Sequence, residues 1–316
     1  MNATSNYRFS GHDSFQCRYA WLPKAVNFVD RKDPDFVDGK NPDPFRDEDK
    51  AMVRLGVGKN MVRSINFWAS MVGVIDKKDG KTIVTDFGRD LLGRDGHDEF
   101  LENIQTLWLL HWKITTNPEP LFAWDFLLND WHRSDFTHSE ALDAMIEKAA
   151  ASGKVLSKTT LNTHLDVFLH TYLPTRSRKG EVLEDNLDCP LVELHLLNVL
   201  ADKISTDSRR REPAFSFRVE EKHEVSDELF AYCLNEFWTS KFPSSETLSF
   251  REVSVGKGSP GQVFKLPERY VRERLDRIST STKGLFIFDD NVLLQQLKRT
   301  KKADSVKLLD RVYGHD

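Results

Sequence analysis

The N-terminal stretch GHDSFQCR gathers side chains that could carry acid–base chemistry at a phosphate ester. His12 has the side chain most often used as a general base, and Asp13 follows it directly. The planar guanidinium of Arg18 is suited to hold a phosphate. These three are the candidate catalytic residues. The alternative is a buried polar cluster that fixes the N-terminus, and the sequence leaves both interpretations open.

A second candidate is the glycine-rich stretch GKGSPG at 256–261, which matches the G-x-G-x-x-G spacing of dinucleotide-binding loops. No strand–helix–strand unit surrounds it, and Pro260 disrupts the helix entry that such a loop needs. We expect instead a turn whose backbone N–H groups, together with Lys257 and Ser259, contact a phosphate of DNA or of a nucleotide. A purely structural turn is the alternative.

The sequence contains no convincing metal-binding motif. Asp43 is followed by Glu48 and Lys50, the residue types of a nuclease centre, but their closeness leaves no room for the paired strands that normally bring such acids together. His164 and His170 do not share a helical face and are not a metal pair. No cofactor is therefore certain, and a divalent cation, Mg²⁺ or Mn²⁺, is expected only if the protein nicks DNA.

The charge balance restricts the kind of nucleic-acid surface that the chain can have. With 45 Lys and Arg against 49 Asp and Glu, the net charge is −4, which argues against a protein that coats DNA by charge alone. Three scattered cysteines form no zinc-binding or disulfide pattern, and the chain opens without an apolar signal segment. We expect a cytoplasmic protein with a local DNA-binding surface and no membrane partner.

The element pattern over residues 47–92 is typical of a winged helix-turn-helix. Asp47 is placed to cap a first helix, and the glycine break at 56–58 precedes a second amphipathic run. A Lys-Lys-Asp-Gly turn then predicts a small hairpin, the wing, and Thr85 is placed to cap a third helix. This unit is the best-defined part of the prediction.

The start of the second helix would carry the DNA contacts. Lys59, Asn60 and Arg63 can meet base edges and phosphates in the major groove, while an apolar stripe through Ile65 and Trp68 faces the core. A helical hairpin with no nucleic-acid contact, or a module that docks proteins, is the alternative. Further contacts are expected from a second helix start and from the glycine-rich turn, at Lys158, Thr160, Asn162, Lys257, Ser259 and Gln262.

The remaining chain predicts a mainly helical protein with small β-wings, built from several winged-helix or helix-turn-helix modules joined by a tryptophan-rich helical bracket. We predict an N-terminal domain at 1–98, a helical domain at 99–204 and a winged-helix-like α+β domain at 205–316. The apolar spacing in VELHLLNVLADKI (192–204) predicts a helix. Polar stretches at 174–190 and 205–213 are candidate linkers.

Five stretches together resemble a known family. They are FSGHDSFQCRYAW, VRLGVGKNMVRSINFWA, TLWLLHW, NLDCPL and GKGSPGQVFKL, and their order covers nearly the whole chain. The sequence is similar to the family of prokaryotic defence-island proteins that includes SspB of the Ssp DNA phosphorothioation system. That resemblance implies a DNA-nicking component of an antiviral defence system, with sulfur-transfer enzymes and an ATPase as partners, but it assigns no catalytic residue here.

We therefore expect a protein that binds double-stranded DNA and nicks it or positions it for sulfur insertion. The acidic net charge and the missing acid cluster favour an alternative, a non-catalytic DNA reader or transcriptional regulator. A scaffold that docks partner sulfur-transfer proteins is a third possibility.

Overall fold

The structure, a computed structural model, describes residues 7–30, 43–153, 156–174, 189–204, 211–291, 295–301 and 303–314. The two predicted linkers lie mostly outside these ranges. The chain divides into two compact units, each built from two segments. Unit 1 comprises residues 1–124 and 133–216, and unit 2 comprises 125–132 and 217–316. The three-domain division stays a prediction.

The elements of unit 1 follow the helix-capping and turn signals of the sequence. Asp47 accepts a hydrogen bond from the Lys50 amide, and Thr85 and Ser157 cap their helices in the same way. The helices of unit 1 are α1 (Trp21–Asp30), α2 (Glu48–Leu55), α3 (Lys59–Met71), α4 (Asp86–Leu92), α5 (Ile104–Thr115), α6 (Phe122–Asp125, whose last residue belongs to unit 2), α7 (His138–Ala151) and α8 (Lys158–Tyr172).

Two small antiparallel sheets complete the part of unit 1 that the structure describes. The first is the hairpin of β1 (Ile75–Lys78) and β2 (Lys81–Val84), in which Ile75 pairs with Val84. In the second, β3 (Phe136–Thr137) pairs with β5 (Arg211–Phe217), and β4 (Leu197–Ile204) lies on the other side of β5. A short 3-10 helix, Pro190–Leu194, precedes β4.

Aromatic side chains fill the core of unit 1. Trp108 and Trp112 of α5 are fully buried, as are Trp68 of α3 and Trp124 of α6, whose ring centroids lie 6.0 Å apart. The Trp124 indole N–H and a ring nitrogen of His111 both contact the Tyr172 hydroxyl. The tryptophan-rich stretch thus supplies the interior that holds α3, α5 and α8 together.

The described residues of unit 2 form five α-helices and a three-stranded antiparallel sheet of order β6-β8-β7. Its elements are α9 (Asp227–Lys241), β6 (Thr247–Ser249), α10 (Phe250–Val255), α11 (Pro260–Val263), α12 (Glu268–Ser281), β7 (Phe286–Asp290), β8 (Gln295–Arg299) and α13 (Ser305–Val312), preceded by a π-helical segment, Phe126–Asp130. No helix in the described ranges is both long and apolar enough to cross a bilayer.

The predicted fold class is wrong. Helices and strands mix in both units, and the described residues form a mixed α/β fold with three antiparallel sheets rather than a mainly α chain of several winged-helix modules. The local order of elements over 47–92 is nevertheless confirmed as helix, turn, helix, hairpin and helix. The error arises because the periodicity of a sequence reports local elements. It does not report contacts between distant residues, such as the pairing of β3 with β5.

The helix predicted over 192–204 is also wrong, since this stretch forms the end of the 3-10 helix and then strand β4. The leucines at 194, 196, 197 and 200 imitate helical spacing. Nearly all side chains of β4 are exposed. Buried and exposed residues therefore do not alternate along this strand, and the sequence shows no strand pattern there.

Candidate nucleic-acid interface

The sharp turn between α2 and α3 fixes where the predicted DNA contacts lie. Gly56 ends α2 in the left-handed conformation, with φ of 67°, and its N–H donates to the Met52 carbonyl. Glycine is favoured there because a Cβ strains this conformation. Gly58 then serves as the N-cap of α3, so Lys59 is its first residue. Lys59, Asn60 and Arg63 are all exposed at this helix start.

One carboxylate joins the two predicted cations. Glu48, the first residue of α2, lies 2.8 Å from Lys59 Nζ, and its Oε1 accepts a hydrogen bond of 2.6 Å from Arg63 Nε. Hydrogen bonds from Arg63 and Lys59 lower the Glu48 pKa to about 2. The Arg63 pKa is raised, first by the hydrogen bond with Glu48 and also by the charge of Asp13.

The two cations remain accessible despite this pairing. The Lys59 and Arg63 side chains are 53% and 49% exposed, while Glu48 is 26% exposed. An exposed ion pair of this kind contributes little stability, so a phosphate can replace the carboxylate at modest cost. Glu48 therefore holds two cations side by side where a polyanion can reach them.

A cleft of about 490 Å³ adjoins this pair. One wall is a single face of α3, because Val62, Asn66 and Ser70 follow each other at intervals of four residues. The N-terminal segment, Phe45 and the β1–β2 hairpin form the other walls. Arg8 and Lys77 add positive charge to the lining.

Each cation of the cleft has an acidic partner. Arg8 Nε donates to Glu119 at 2.7 Å, and Lys77 Nζ lies 3.0 Å from Asp43. Although burial raises the Asp43 pKa, hydrogen bonds from Lys77 and other groups lower it overall. The cleft thus combines oriented cations, the carboxylates of Glu48 and Asp76, and an uncharged stripe on α3.

Asn66 is the unusual member of that wall. Its Oδ1 atom is buried and has no hydrogen-bond partner among the described protein groups. Leaving a buried acceptor unpaired costs about 1–3 kcal/mol, so such an atom is found where something else donates to it. Asn66 therefore contributes an unpaired acceptor to the lining of the cleft.

Gly11 allows the N-terminal segment to approach α3. Its φ is +110°, and a Cβ built on it would lie 2.6 Å from Cδ2 of Phe67. The backbone remains unusual beyond it, since Asp13 and Ser14 also have positive φ. The Ser64 hydroxyl donates to the His12 carbonyl at 2.7 Å, and the Trp68 indole N–H donates to the Phe15 carbonyl at 3.0 Å. The GHDSF turn is thereby fixed to α3.

We expect Gly11→Ala to destabilise the protein by about 2–4 kcal/mol, because it adds backbone strain to a clash with a packed ring. Urea unfolding followed by tryptophan fluorescence measures the change. Gly73→Ala is the matched control, because Gly73 also has a positive φ, 76°, but nothing lies within 4 Å of its would-be Cβ. Equal losses in the two variants would contradict the packing argument.

His12 belongs to a buried histidine pair. Its Nε2 lies 2.9 Å from Nδ1 of His164, and the two rings stack at 5.2 Å between centroids. Burial lowers the pKa of His12 to about 4 and that of His164 to about 3. Both rings are therefore neutral at neutral pH, and a base of such low pKa is poorly matched to proton abstraction there.

The hydrogen bonds assign the protons of this pair. The Ala123 amide donates to Nε2 of His164 at 3.1 Å, so the His164 proton is on Nδ1 and is donated to Nε2 of His12. The proton of His12 is then on its own Nδ1. The Ser14 amide lies 3.3 Å from His12 Nδ1, and two N–H groups cannot donate to each other. We therefore assign the protons from the two shorter hydrogen bonds, of 2.9 and 3.1 Å.

Of the other predicted residues of unit 1, Arg18, Thr160 and Asn162 contact neighbouring side chains. The Arg18 guanidinium lies 5.4 Å from the Trp21 ring centroid and 5.9 Å from that of Phe15. Lys158 is exposed at the start of α8, where the Thr160 hydroxyl contacts the Ser157 cap at 2.8 Å. The Asn162 amide donates to Asp166 at 2.8 Å.

In unit 2, the glycine-rich turn is bound to the π-helical segment. Lys257 Nζ contacts Asp125 at 2.7 Å, and the Gly258 amide donates to the Asn129 side chain at 2.9 Å. Gln262 and Lys265 both donate to the Leu128 carbonyl, at 2.6 and 2.5 Å.

Ser259 of the same turn is fully buried, and its side chain caps α11. Lys257 is half-exposed. A phosphate contact at this turn would require Lys257 to leave Asp125 and Asp130, so the DNA contacts predicted for Lys257, Ser259 and Gln262 stay predictions.

Sequence reasoning missed the cleft around the predicted helix start. Arg8 and Lys77 carry no local signal, because only the folded chain brings them beside α3. Asn66 could have been found, since it lies one helical turn after Arg63 on the same side of α3. In the sequence, Glu48 belongs to an acidic string with Asp43, whereas the structure places it against Lys59 and Arg63.

Within the described ranges, no group of three or more His, Cys, Asp or Glu side chains is arranged to hold a metal ion. Asp125 and Asp130 lie close together, but both contact Lys257, at 2.7 and 3.6 Å. Lys257 therefore neutralises this pair of carboxylates.

Comparisons with known proteins agree on one relationship. A family model described as a protein of unknown function, DUF4007, matches residues 9–313. A crystal structure of SspB is similar with a TM-score of 0.79 and 22% identity, over 98% of this chain and 89% of that one. A magnesium-bound crystal structure of SspB is similar with a TM-score of 0.77 and 23% identity, over 96% of this chain and 87% of that one. No curated protein matches the chain. The resemblance drawn from the sequence is thus confirmed at the level of the fold.

Proposed function

Because this chain belongs to the DUF4007 family and has the SspB fold, we propose that it is the DNA-binding component of a bacterial DNA phosphorothioation system used in defence. It binds duplex DNA through the start of α3 and positions the strand for sulfur insertion. Double-stranded DNA is its first partner, and the sulfur-transfer and ATPase proteins of the same system are the others.

The observation that supports DNA binding best is the pair of half-exposed cations at the α3 start. Lys59 and Arg63 are held by one carboxylate and separated by one helical turn, a spacing that suits contact with the sugar–phosphate backbone. Asn60 is exposed beside them and offers an amide that can pair with an adenine edge. Phosphate contacts then position the protein, and the amide supplies selectivity.

Strand nicking is the activity that the resemblance to SspB implies. We expect the purified protein, mixed with its partners, to convert supercoiled plasmid into open circles when Mg²⁺ or Mn²⁺ is supplied. Chelation with EDTA should stop the conversion. Gel electrophoresis of the plasmid is the measurement, and DNA mixed with the partners alone is the control.

A non-catalytic DNA reader is the second candidate, favoured by the absence of a three-ligand acid cluster in the described part of the chain. Persistent supercoils with every metal and partner, together with intact gel shifts, would support this reader and remove the nicking proposal. A scaffold would instead give no gel shift while still pulling down the sulfur-transfer proteins.

A further inference from the structure

We propose that the cleft beside α3 binds one nucleotide whose base is turned out of the DNA stack. The cleft lies between α3, the N-terminal segment and the β1–β2 hairpin, and it adjoins the Lys59–Arg63 pair. This inference rests on the DNA-binding function proposed above, which it deepens by assigning a second site and its ligand.

The size and lining of the cleft suit a single nucleotide. Its volume of about 490 Å³ lies in the range of small-molecule pockets. Phe45 and Phe67 supply aromatic surface on its walls. Proteins that bind an extrahelical base commonly place it against aromatic or apolar side chains, because every base has a stacking face.

Three cations in the lining, beside the carboxylates of Glu48 and Asp76, can contact the phosphate of such a nucleotide. Arg8, Arg63 and Lys77 line the cleft, and their side chains are between 43% and 60% exposed. Each already contacts a carboxylate, so its direction is set before the ligand arrives. An incoming phosphate replaces a carboxylate as the acceptor, and no new cation has to be ordered.

Asn66 offers an acceptor to the base. Its buried Oδ1 lacks a donor in the described structure. Adenine, cytosine and guanine carry an exocyclic amino group that can donate to it, and thymine carries its N3–H. The cleft should therefore accept any of the four bases and discriminate against a sugar phosphate without a base, because a site built around an unpaired acceptor rejects a ligand without the donor.

Binding to a mismatched duplex tests the proposal. An unpaired base leaves the stack at lower cost, so a duplex with one central C·A mismatch should bind about tenfold more tightly than the matched duplex. Asn66→Leu should abolish this preference without lowering the melting temperature, because it removes a buried unpaired acceptor. Asn27→Leu, on the exposed side of α1, is the control and should keep the preference.

Free nucleotides separate the two sources of the ligand. Calorimetric titration with dCMP should show binding and titration with 2-deoxyribose 5-phosphate should not, since the two ligands share the sugar phosphate and differ in the base. Lys77→Ala, an exposed change, should weaken dCMP binding even if Asn66→Leu fails to fold. Binding of dCMP without a mismatch preference would assign the cleft to a free nucleotide and overturn the extrahelical base.

The failures can be told apart. If gel shifts show no duplex binding, the proposed function fails, while the dCMP titration still tests the cleft. If both duplexes bind equally and dCMP does not bind, the cleft proposal alone is overturned.

Discussion

Glu48→Gln is expected to tighten the binding of duplex DNA, and Lys59→Ala combined with Arg63→Ala is expected to weaken it. In the free protein, Glu48 occupies both cations, with contacts of 2.8 and 2.6 Å. A DNA phosphate must displace this carboxylate before it binds them. Neutralising Glu48 removes the competitor and one repulsive charge, so affinity should rise about three- to tenfold at low salt.

Removing both cations should reduce the affinity by about tenfold or more, and the slope of log K against log salt should become shallower by about two. Fluorescence anisotropy of a labelled duplex over a series of salt concentrations gives both quantities. Lys298→Ala combined with Arg269→Ala is the matched control, because each of these exposed cations also contacts a carboxylate, at 3.1 and 2.8 Å. An unchanged slope in the Lys59 and Arg63 variant would show that the DNA-binding surface lies elsewhere on the protein.

Acid is expected to unfold the protein through the His12–His164 pair. An unfolded histidine has a pKa near 6.5, whereas burial lowers these two to about 4 and about 3. Between these values the unfolded chain binds more protons than the folded chain, so the free energy of unfolding falls as the pH decreases from about 6.5 to about 4. At about 1.4 kcal/mol per pKa unit, the loss amounts to several kcal/mol.

Urea unfolding at a series of pH values measures this dependence. His164→Gln should flatten the profile in this window while lowering stability at neutral pH, because it removes one titrating ring but disturbs a filled core. His223→Gln is the control, since His223 is 84% exposed and its loss should leave the profile unchanged. A steep profile that persists in His164→Gln would assign the acid sensitivity to other groups.

The parts of the fold that could be predicted from sequence are those that short-range chemistry decides. Asp47 and Thr85 are caps in the structure because a side-chain oxygen three residues before an unpaired amide satisfies it locally. Gly56 ends α2 because its backbone can adopt a left-handed conformation. Such signals identified α2, α3, the hairpin and α4 with nearly correct bounds.

The sheets and the candidate site depend on contacts that a single sequence does not display. Strand β4 has a leucine spacing that imitates a helix, and β3 is only two residues long. Likewise, the cleft needs Arg8 and Lys77 beside Asn66, an arrangement that tertiary packing alone creates. The polar neighbours of His12 in the sequence suggest a general base, whereas its buried partner His164 lies far along the chain.

The contacts of the π-helical segment have a consequence for synthesis. Leu128 and Asn129 bind Gln262 and Gly258, which the ribosome adds more than a hundred residues later. At about 5–20 residues per second, the nascent chain therefore carries the apolar Phe126–Leu128 stretch without its partners for roughly 6–25 seconds. During that time the stretch is open to contacts with other chains, and a fragment that begins at residue 217 lacks the peptide that these later residues bind.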